Sequence, residues 1–213
     1  MTALCCSEAL WHAKAVMSFL YDSPLRRFAL LALFALSTTA IHAQASANQL
    51  ANSSVIIIRH AEKPESGSSL APAGFIRAEK YTHYFQSLTV DGQRLLPDAL
   101  YAGADSADSI RPRQTLEPLS RAMGIPLNTT YSTNEPDKLV HALADAQHGR
   151  CTLIAWRHKK IAALLKDFGA DPAILLPDSS WPDDVYDWVI VLHFDVAGHV
   201  DQQRRIVEPN PLP

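Results

Sequence analysis

The chain has 213 residues, 47% of them hydrophobic, and a formal net charge of −3. That length suits one domain of ordinary size plus a leader, and the apolar share is that of a globular protein, which excludes disordered and collagen-like classes. The small negative charge leaves no electrostatic footprint for nucleic acid, and the chain has no internal repeat, heptad pattern or long low-complexity tract.

The first recognisable segment is a leader. Arg26-Arg27 precedes the apolar run from Phe28 to Leu36, and Ala43-Gln44-Ala45 and Ala45-Ser46-Ala47 each offer a small-x-small cleavage site. A basic n-region, a short h-region and such a site describe a secretory signal peptide. The run is too short for a comfortable membrane span. Residues 1–47 are therefore expected to be a leader whose signal-peptide core is 26–47, with Met17 a more usual start. Residues 48–213 are expected to form the mature domain, periplasmic or secreted and without an integral membrane span; an uncleaved anchor is the alternative. Cys5 and Cys6 fall in the leader, so the mature domain keeps only Cys151 and no internal disulfide. A domain of this size can bury an adequate core without one.

A polar linker from Gln44 to Ser54 leads into Val55-Ile56-Ile57-Ile58-Arg59-His60. Four apolar, mostly β-branched residues in a row predict a strand buried on both faces, as in a parallel sheet. Its carboxyl end delivers a guanidinium and an imidazole, and in open α/β sheets ligands bind at that edge. A planar guanidinium suits phosphate, and a neutral imidazole can attack phosphorus. After a loop from Pro64 to Ala73, Gly74 to Leu88 has helical spacing, with Phe75, Ala78, Tyr81 and Phe85 on one side. Ala99-Leu100-Tyr101-Ala102 predicts a short strand. Ser109 to Thr115 then opens a helix running to about Met123, with Ser109 or Asp108 as its cap. Arg111 falls in the first turn, where free N–H groups already favour an anion.

Pro126 to Tyr131 reads as a short strand and Pro136 to Ala146 as a helix, with Pro136 suited to its first turn. Cys151 to Trp156 is another buried strand. It ends in Arg157-His158, and a helix follows to Leu165. Asp171 to Asp184 is a proline-rich loop. Trp188 to Phe194 is a further strand, with Val200 to Val207 as an antiparallel edge. Alternating strands and helices predict a three-layer α/β/α sandwich with a mainly parallel sheet. Three strand-to-helix junctions then bring Arg59, His60, Arg111 and His158 to one edge of it.

With those junctions in place, the chain resembles the histidine phosphatase superfamily, in its phosphoglycerate mutase-like branch. Arg59-His60-Ala61-Glu62 is similar to its Arg-His-Gly motif, with Ala in place of Gly. Leu70 to Ala78 resembles the start of its first helix, Ser109-Ile110-Arg111-Pro112-Arg113-Gln114-Thr115 its Ser-x-Arg-x-x-Gln-Thr segment, and Trp156-Arg157-His158 its second histidine. The resemblance runs from about Ser53 to Val196. It implies a phosphomonoesterase in which His60 becomes a phosphohistidine while Arg59, Arg111 and His158 clamp the phosphoryl oxygens. It implies a small or envelope-derived phosphate ester as substrate, and neither metal nor cofactor, since guanidinium and imidazolium groups supply the positive charge. It places the general acid roughly two dozen residues beyond Arg111, at Glu135. That glutamate precedes a helix and reads equally as a cap or a solvated residue. Lys159 follows His158 where other relatives place an acid, and Asp105 and Asp183 are carboxylates with no motif behind them.

Several residues keep two readings. Lys63 stands where many relatives carry Asn; it is either a phosphate contact or a solvent-facing lysine. Arg157 either widens the positive mouth or pairs with a surface acid, and Ser180 to Asp184 is either a rim or packing. Arg113, two residues from Arg111, points away from it on a helix. Cys151 reads as core. The remaining histidines, at 83, 141, 148, 193 and 199, lack metal-ligand spacing. No Gly-x-Ser-x-Gly elbow, P-loop or dinucleotide fingerprint is present. Two further functions stay open: a phosphoryl-binding protein without a competent acid, and a phosphoglycerate-type mutase. The mutase fits poorly with a short, exported chain.

Overall fold

The computed structural model describes residues 48–145 and 149–213, so the expected leader and its candidate cleavage sites lie outside the described residues. The strands are β1 (Ser54–Arg59), β2 (Thr89–Val90), β3 (Gln93–Arg94), β4 (Ala99–Ala102), β5 (Leu127–Asn128), β6 (Cys151–Trp156), β7 (Trp188–Phe194) and β8 (Val200–Val207). The helices are α1 (Pro72–Ser87), α2 (Arg111–Met123), α3 (Pro136–Asp145), α4 (His158–Asp167) and the short α5 (Pro172–Leu175). Six strands form one sheet in the order β5-β4-β6-β1-β7-β8, and β2 and β3 pair separately. The first four of the six are mutually parallel, and β7 and β8 add antiparallel.

Strand alternation assigns the two faces of this sheet. Val55 and Ile57 of β1 join Ile154 and Trp156 of β6 in a layer with Leu139 and Leu143 of α3 and Ile161, Leu164 and Leu165 of α4. Ile56, Ile58, Leu153 and Ala155 face the other way, against Tyr81 and Phe85 of α1 and Leu116 and Leu119 of α2. The fold is thus a three-layer α/β/α sandwich. Because β1 and β6 are covered on both faces, their runs are continuously apolar. Truncating one of these buried leucines or isoleucines to Ala costs about 2–5 kcal/mol.

Local differences from the expected elements have physical reasons. Helix α2 begins at Arg111 with Ile110 as its N-cap and no side-chain cap; Ser109 Oγ instead accepts from the Arg111 guanidinium at 3.0 Å. Phe75 is exposed on α1, and Tyr84 is buried in its stead. The Asp171–Asp184 loop contains α5 and a 3-10 turn at Pro177–Ser179. Among the described residues, no helix is long and apolar enough to cross a membrane.

One buried polar cluster ties the end of the chain to the loop after β1. Glu208, just past β8, is 4% exposed. It accepts from Tyr81 Oη at 2.7 Å and from Arg77, whose Nε also donates to Glu62 at 2.9 Å. Burial pushes the Glu208 carboxyl up to about 7, against the pull of Tyr81 and Arg77. The folded chain therefore holds this proton after an unfolded chain has released it near 4.5. Folded protein binds more protons across that window, so Glu208 lowers stability as pH rises through it. Glu208→Gln has no such proton to lose. Thermal melts are expected to show the variant gaining on the wild type between about pH 4.5 and pH 7; a constant gap across the window would contradict this.

Candidate active site

Arg59 ends β1 and His60 follows it, with the His60 N–H donating to Trp156 O of β6 at 3.0 Å. Gly103, just past β4, donates in the same way to Ala155 O, and His158 opens α4 directly beyond β6. The carboxyl ends of three parallel strands thus converge, as expected for the ligand edge of such a sheet. The antiparallel run of β7 brings the loop before it, residues 180–187, to the same edge.

The first loop is fixed from below. Ala61 N–H donates to Thr115 Oγ1 at 2.9 Å, and Thr115 in turn bonds Arg111 O. Gln114 Oε1 accepts from Ser69 Oγ and Leu70 N–H, which joins the next stretch of the same loop to α2. Gly74 lets α1 approach closely: a Cβ there would stand 2.5 Å from Glu62 O. These contacts give the residues around Arg111 and Leu70 a positioning role that spacing alone did not reveal.

His60 is 3% exposed. Its Nδ1 lies 2.8 Å from Ala61 O. A carbonyl only accepts, so Nδ1 carries the proton and the lone pair is on Nε2. Burial, then the Arg59 and Arg111 charges, lower its pKa to about 3 against the pull of the Ala61 carbonyl, so the ring is neutral at physiological pH. The His158 ring lies 6.2 Å away, nearly perpendicular at 76°. Burial and Arg59 lower His158 to about 4, against the opposing pull of Asp183.

Arg59 is fully buried. Its Nη1 donates to Pro182 O at 3.1 Å and to Val185 O at 2.8 Å, and its guanidinium stacks 3.8 Å over the Tyr186 ring. A desolvated cation–π contact of this kind contributes about 2 kcal/mol. Arg111 is held by Gly67 O at 2.7 Å and by Ser109 and Asp108. Arg59 Nε and Nη2 and Arg111 Nε are buried with no hydrogen-bond acceptor among the described residues. Orphaned buried donors of this charge are costly unless an anion meets them. His60, Arg111 and His158 line one cavity of about 250 Å³, with Lys63, Arg157 and Lys159 also on its wall. Lys63 and Arg157 therefore belong to the positive mouth.

Other candidates lie elsewhere. Glu135 pairs with Lys138 at 2.6 Å, is half exposed, and is not among the residues lining this cavity. Asp105 and Glu117 both hold Arg113, which points away from the site. Cys151 is core, its thiol pushed up to about 12 by burial. Asp183, by contrast, places Oδ1 2.5 Å from His158 Nε2. Its approach is non-local, across 25 positions of chain, so no motif could have marked it. A roomier cleft beside β8 is lined by groups that already pair with each other, Arg204 with Asp91 and His193 with Asp201. Among the described residues, no cluster of three or more His, Cys, Asp or Glu has a metal-holding arrangement.

Neither a protein-family model nor a curated protein sequence matches the chain. Solved structures similar to it include an Agrobacterium tumefaciens protein named for the phosphohistidine phosphatase SixA, at 21% identity and a TM-score of 0.48, covering 73% of this chain and 96% of that one. A second is the protein histidine phosphatase SixA complexed with tungstate, at 15% identity and a TM-score of 0.48, covering 75% and 99%. A third is a mycobacterial glucosyl-3-phosphoglycerate phosphatase, at 15% identity and a TM-score of 0.44, covering 73% and 97%.

The protonation assigned here has a direct readout. Nitrogen-15 NMR of the imidazoles at pH 6 is expected to show His60 and His158 both neutral, with the His60 proton on Nδ1. A charged His60 ring at that pH would contradict the site as described.

Proposed function

We propose that the chain is an exported phosphomonoesterase of the histidine phosphatase type, working through a phosphohistidine at His60. One observation carries the reading: a neutral imidazole whose Nδ1 is locked to a carbonyl, on a cavity whose wall carries Lys63, Arg111, Arg157 and Lys159 against the one acid Asp108. Nε2 is then free to attack phosphorus without first losing a proton, which is what a nucleophile at neutral pH needs. The orphaned donors of Arg59 and Arg111 suit the equatorial oxygens of a transferring phosphoryl group. The cavity, about 250 Å³, accommodates a phosphoryl group and a small part of its alcohol, so the proposed substrate is a small or exposed phosphate ester. Glu135 pairs with Lys138 at the surface and does not line this cavity.

His60→Ala is expected to abolish turnover while leaving the melting curve intact. Acid-labile ³²P labelling should be present in the wild type and lost in the variant. Label that survives the substitution would put the nucleophile on another residue.

Export is the second part of the proposal and is supported by the residues of the leader alone. The mature protein is expected to begin between Gln44 and Asn48 and to be recovered outside the cytoplasm, which N-terminal sequencing of the periplasmic or secreted fraction checks. Membrane-bound protein retaining Arg26 to Leu36 would show an anchor instead.

A further inference from the structure

Phosphate esters of ordinary alcohols need a proton on the leaving oxygen, and Glu135 pairs with Lys138 away from the cavity wall. Asp108 lines the cavity and gives its backbone carbonyl to Arg111, whereas Asp183 bonds a ring of the reacting cluster directly. Asp183 Oδ1 lies 2.5 Å from Nε2 of the buried His158. The Asp183 side chain is exposed apart from this contact, but the backbone that carries it is fixed. The residue before it, Pro182, gives its carbonyl to Arg59, and Val185, two residues after it, does the same. Trp181 Nε1 closes the loop on Val185 O at 2.9 Å. The backbone on both sides of Asp183 is thus pinned to the phosphate-binding arginine.

We propose that Asp183 is a positioning residue for His158, and that His158 delivers the proton to the leaving oxygen and then takes one from the attacking water. This rests on the phosphohistidine reading of His60. An imidazole has two hydrogen-bonding positions. Nε2 is taken by Asp183, and Nδ1 is buried without a partner among the described residues. Nδ1 is therefore the position left to meet a phosphoryl or leaving oxygen. The charged groups acting on the ring are Arg59 from β1, Lys63 from the loop after it and Asp183 from the loop before β7; Lys63 and Lys159 act on Asp183 in turn. With the site empty, burial and Arg59 keep the ring neutral, its Nε2 proton on Asp183. A phosphoryl dianion offsets Arg59, so Nδ1 gains a proton from solvent while Nε2–H stays on the carboxylate.

The cycle then balances. His60 Nε2 donates its lone pair to phosphorus, and the P–O bond to the alcohol breaks with its electron pair on oxygen. That oxygen takes the Nδ1 proton of His158, and the alcohol departs. Water then adds to phosphorus, its proton goes to Nδ1, and the P–N electrons return to His60. Inorganic phosphate leaves, and in the emptied site Nδ1 returns its proton to solvent until the next ester binds.

The test compares kcat and kcat/KM for p-nitrophenyl phosphate and for glycerol 2-phosphate between pH 5 and pH 9, in wild type, Asp183→Asn, Asp183→Glu and Glu135→Gln. Asp183→Asn should lower the alkyl ester about 10²-fold, the usual scale of a positioned acid, and the aryl ester far less, because nitrophenolate leaves unprotonated. The alkaline limb of the kcat profile for the alkyl ester, which reports the group in the substrate complex, should move to lower pH in Asp183→Asn, because the imidazolium has lost its carboxylate. Asp183→Glu should restore part of the rate, and Glu135→Gln should leave the ratio of the two esters unchanged. Acid-labile ³²P on His60, loaded from the aryl ester, should persist in Asp183→Asn. Equal losses for both esters, or a leaving-group-dependent loss in Glu135→Gln alone, would overturn the proposal. So would faster turnover with tighter phosphate inhibition in Asp183→Asn, which would mean that the carboxylate competes with phosphate for Nε2. Absence of label in the wild type would instead overturn the phosphohistidine reading beneath it.

Discussion

A guanidinium with no solvent around it is the constraint from which the rest of this site follows. Arg59 is placed at the end of a strand covered on both faces, so its side chain cannot turn outward to water. A buried charge requires compensation. Two carbonyls of the loop before β7 and the face of Tyr186 supply part of it, with Asp183 and Asp184 adding longer-range attraction. That requirement brings the loop to the site. The same charge works on its neighbours: with burial, it keeps His60 and His158 neutral. Its remaining donors, Nε and Nη2, are left for an anion. One residue thus holds the loop, lowers the pKa of both histidines and keeps two donors without a partner among the described residues.

The supports around it divide the labour. Thr115 and Gln114 hold the loop after β1 onto α2, so that His60 and Arg111 cannot drift apart independently. On the far side, Arg77 bridges Glu62 of that loop to Glu208 at the end of β8. Tyr81 completes the cluster from within α1. The loop that carries His60 is therefore fastened both to the helix carrying Arg111 and to the end of the last strand of the sheet. Such bracing keeps a catalytic constellation near its productive geometry.

Much of this was legible in the residues. Continuous burial of β1 and β6 follows from their β-branched and apolar runs, and a strand that ends in a charged pair can only deliver that pair to the sheet edge. Arg59, His60, Arg111 and His158 meet because three strand-to-helix junctions of a parallel sheet share an edge. Glu135 shows the limit of spacing: a count along the chain from Arg111 says nothing about what a side chain finds nearby, and here it finds Lys138. Asp183 shows the complementary failure. Its partner is across the sheet edge, and what brings it there is the loop's attachment to Arg59. No local pattern records such an attachment. Phe75 and Tyr84 exchange roles on α1 for a similar reason, since periodicity marks a face but tertiary packing sets its centre.

The central claim is that His60 Nε2 attacks phosphorus while Arg59, Arg111 and His158 hold the oxygens. A crystal structure of the protein with vanadate tests it most directly, because vanadate adopts the five-coordinate geometry of the transferring group. The account predicts vanadium bonded to His60 Nε2, with its oxygens within hydrogen-bonding distance of Arg59, Arg111 and His158 Nδ1. Vanadate bound at the rim lysines without a bond to His60, or bonded to a different residue, would contradict it.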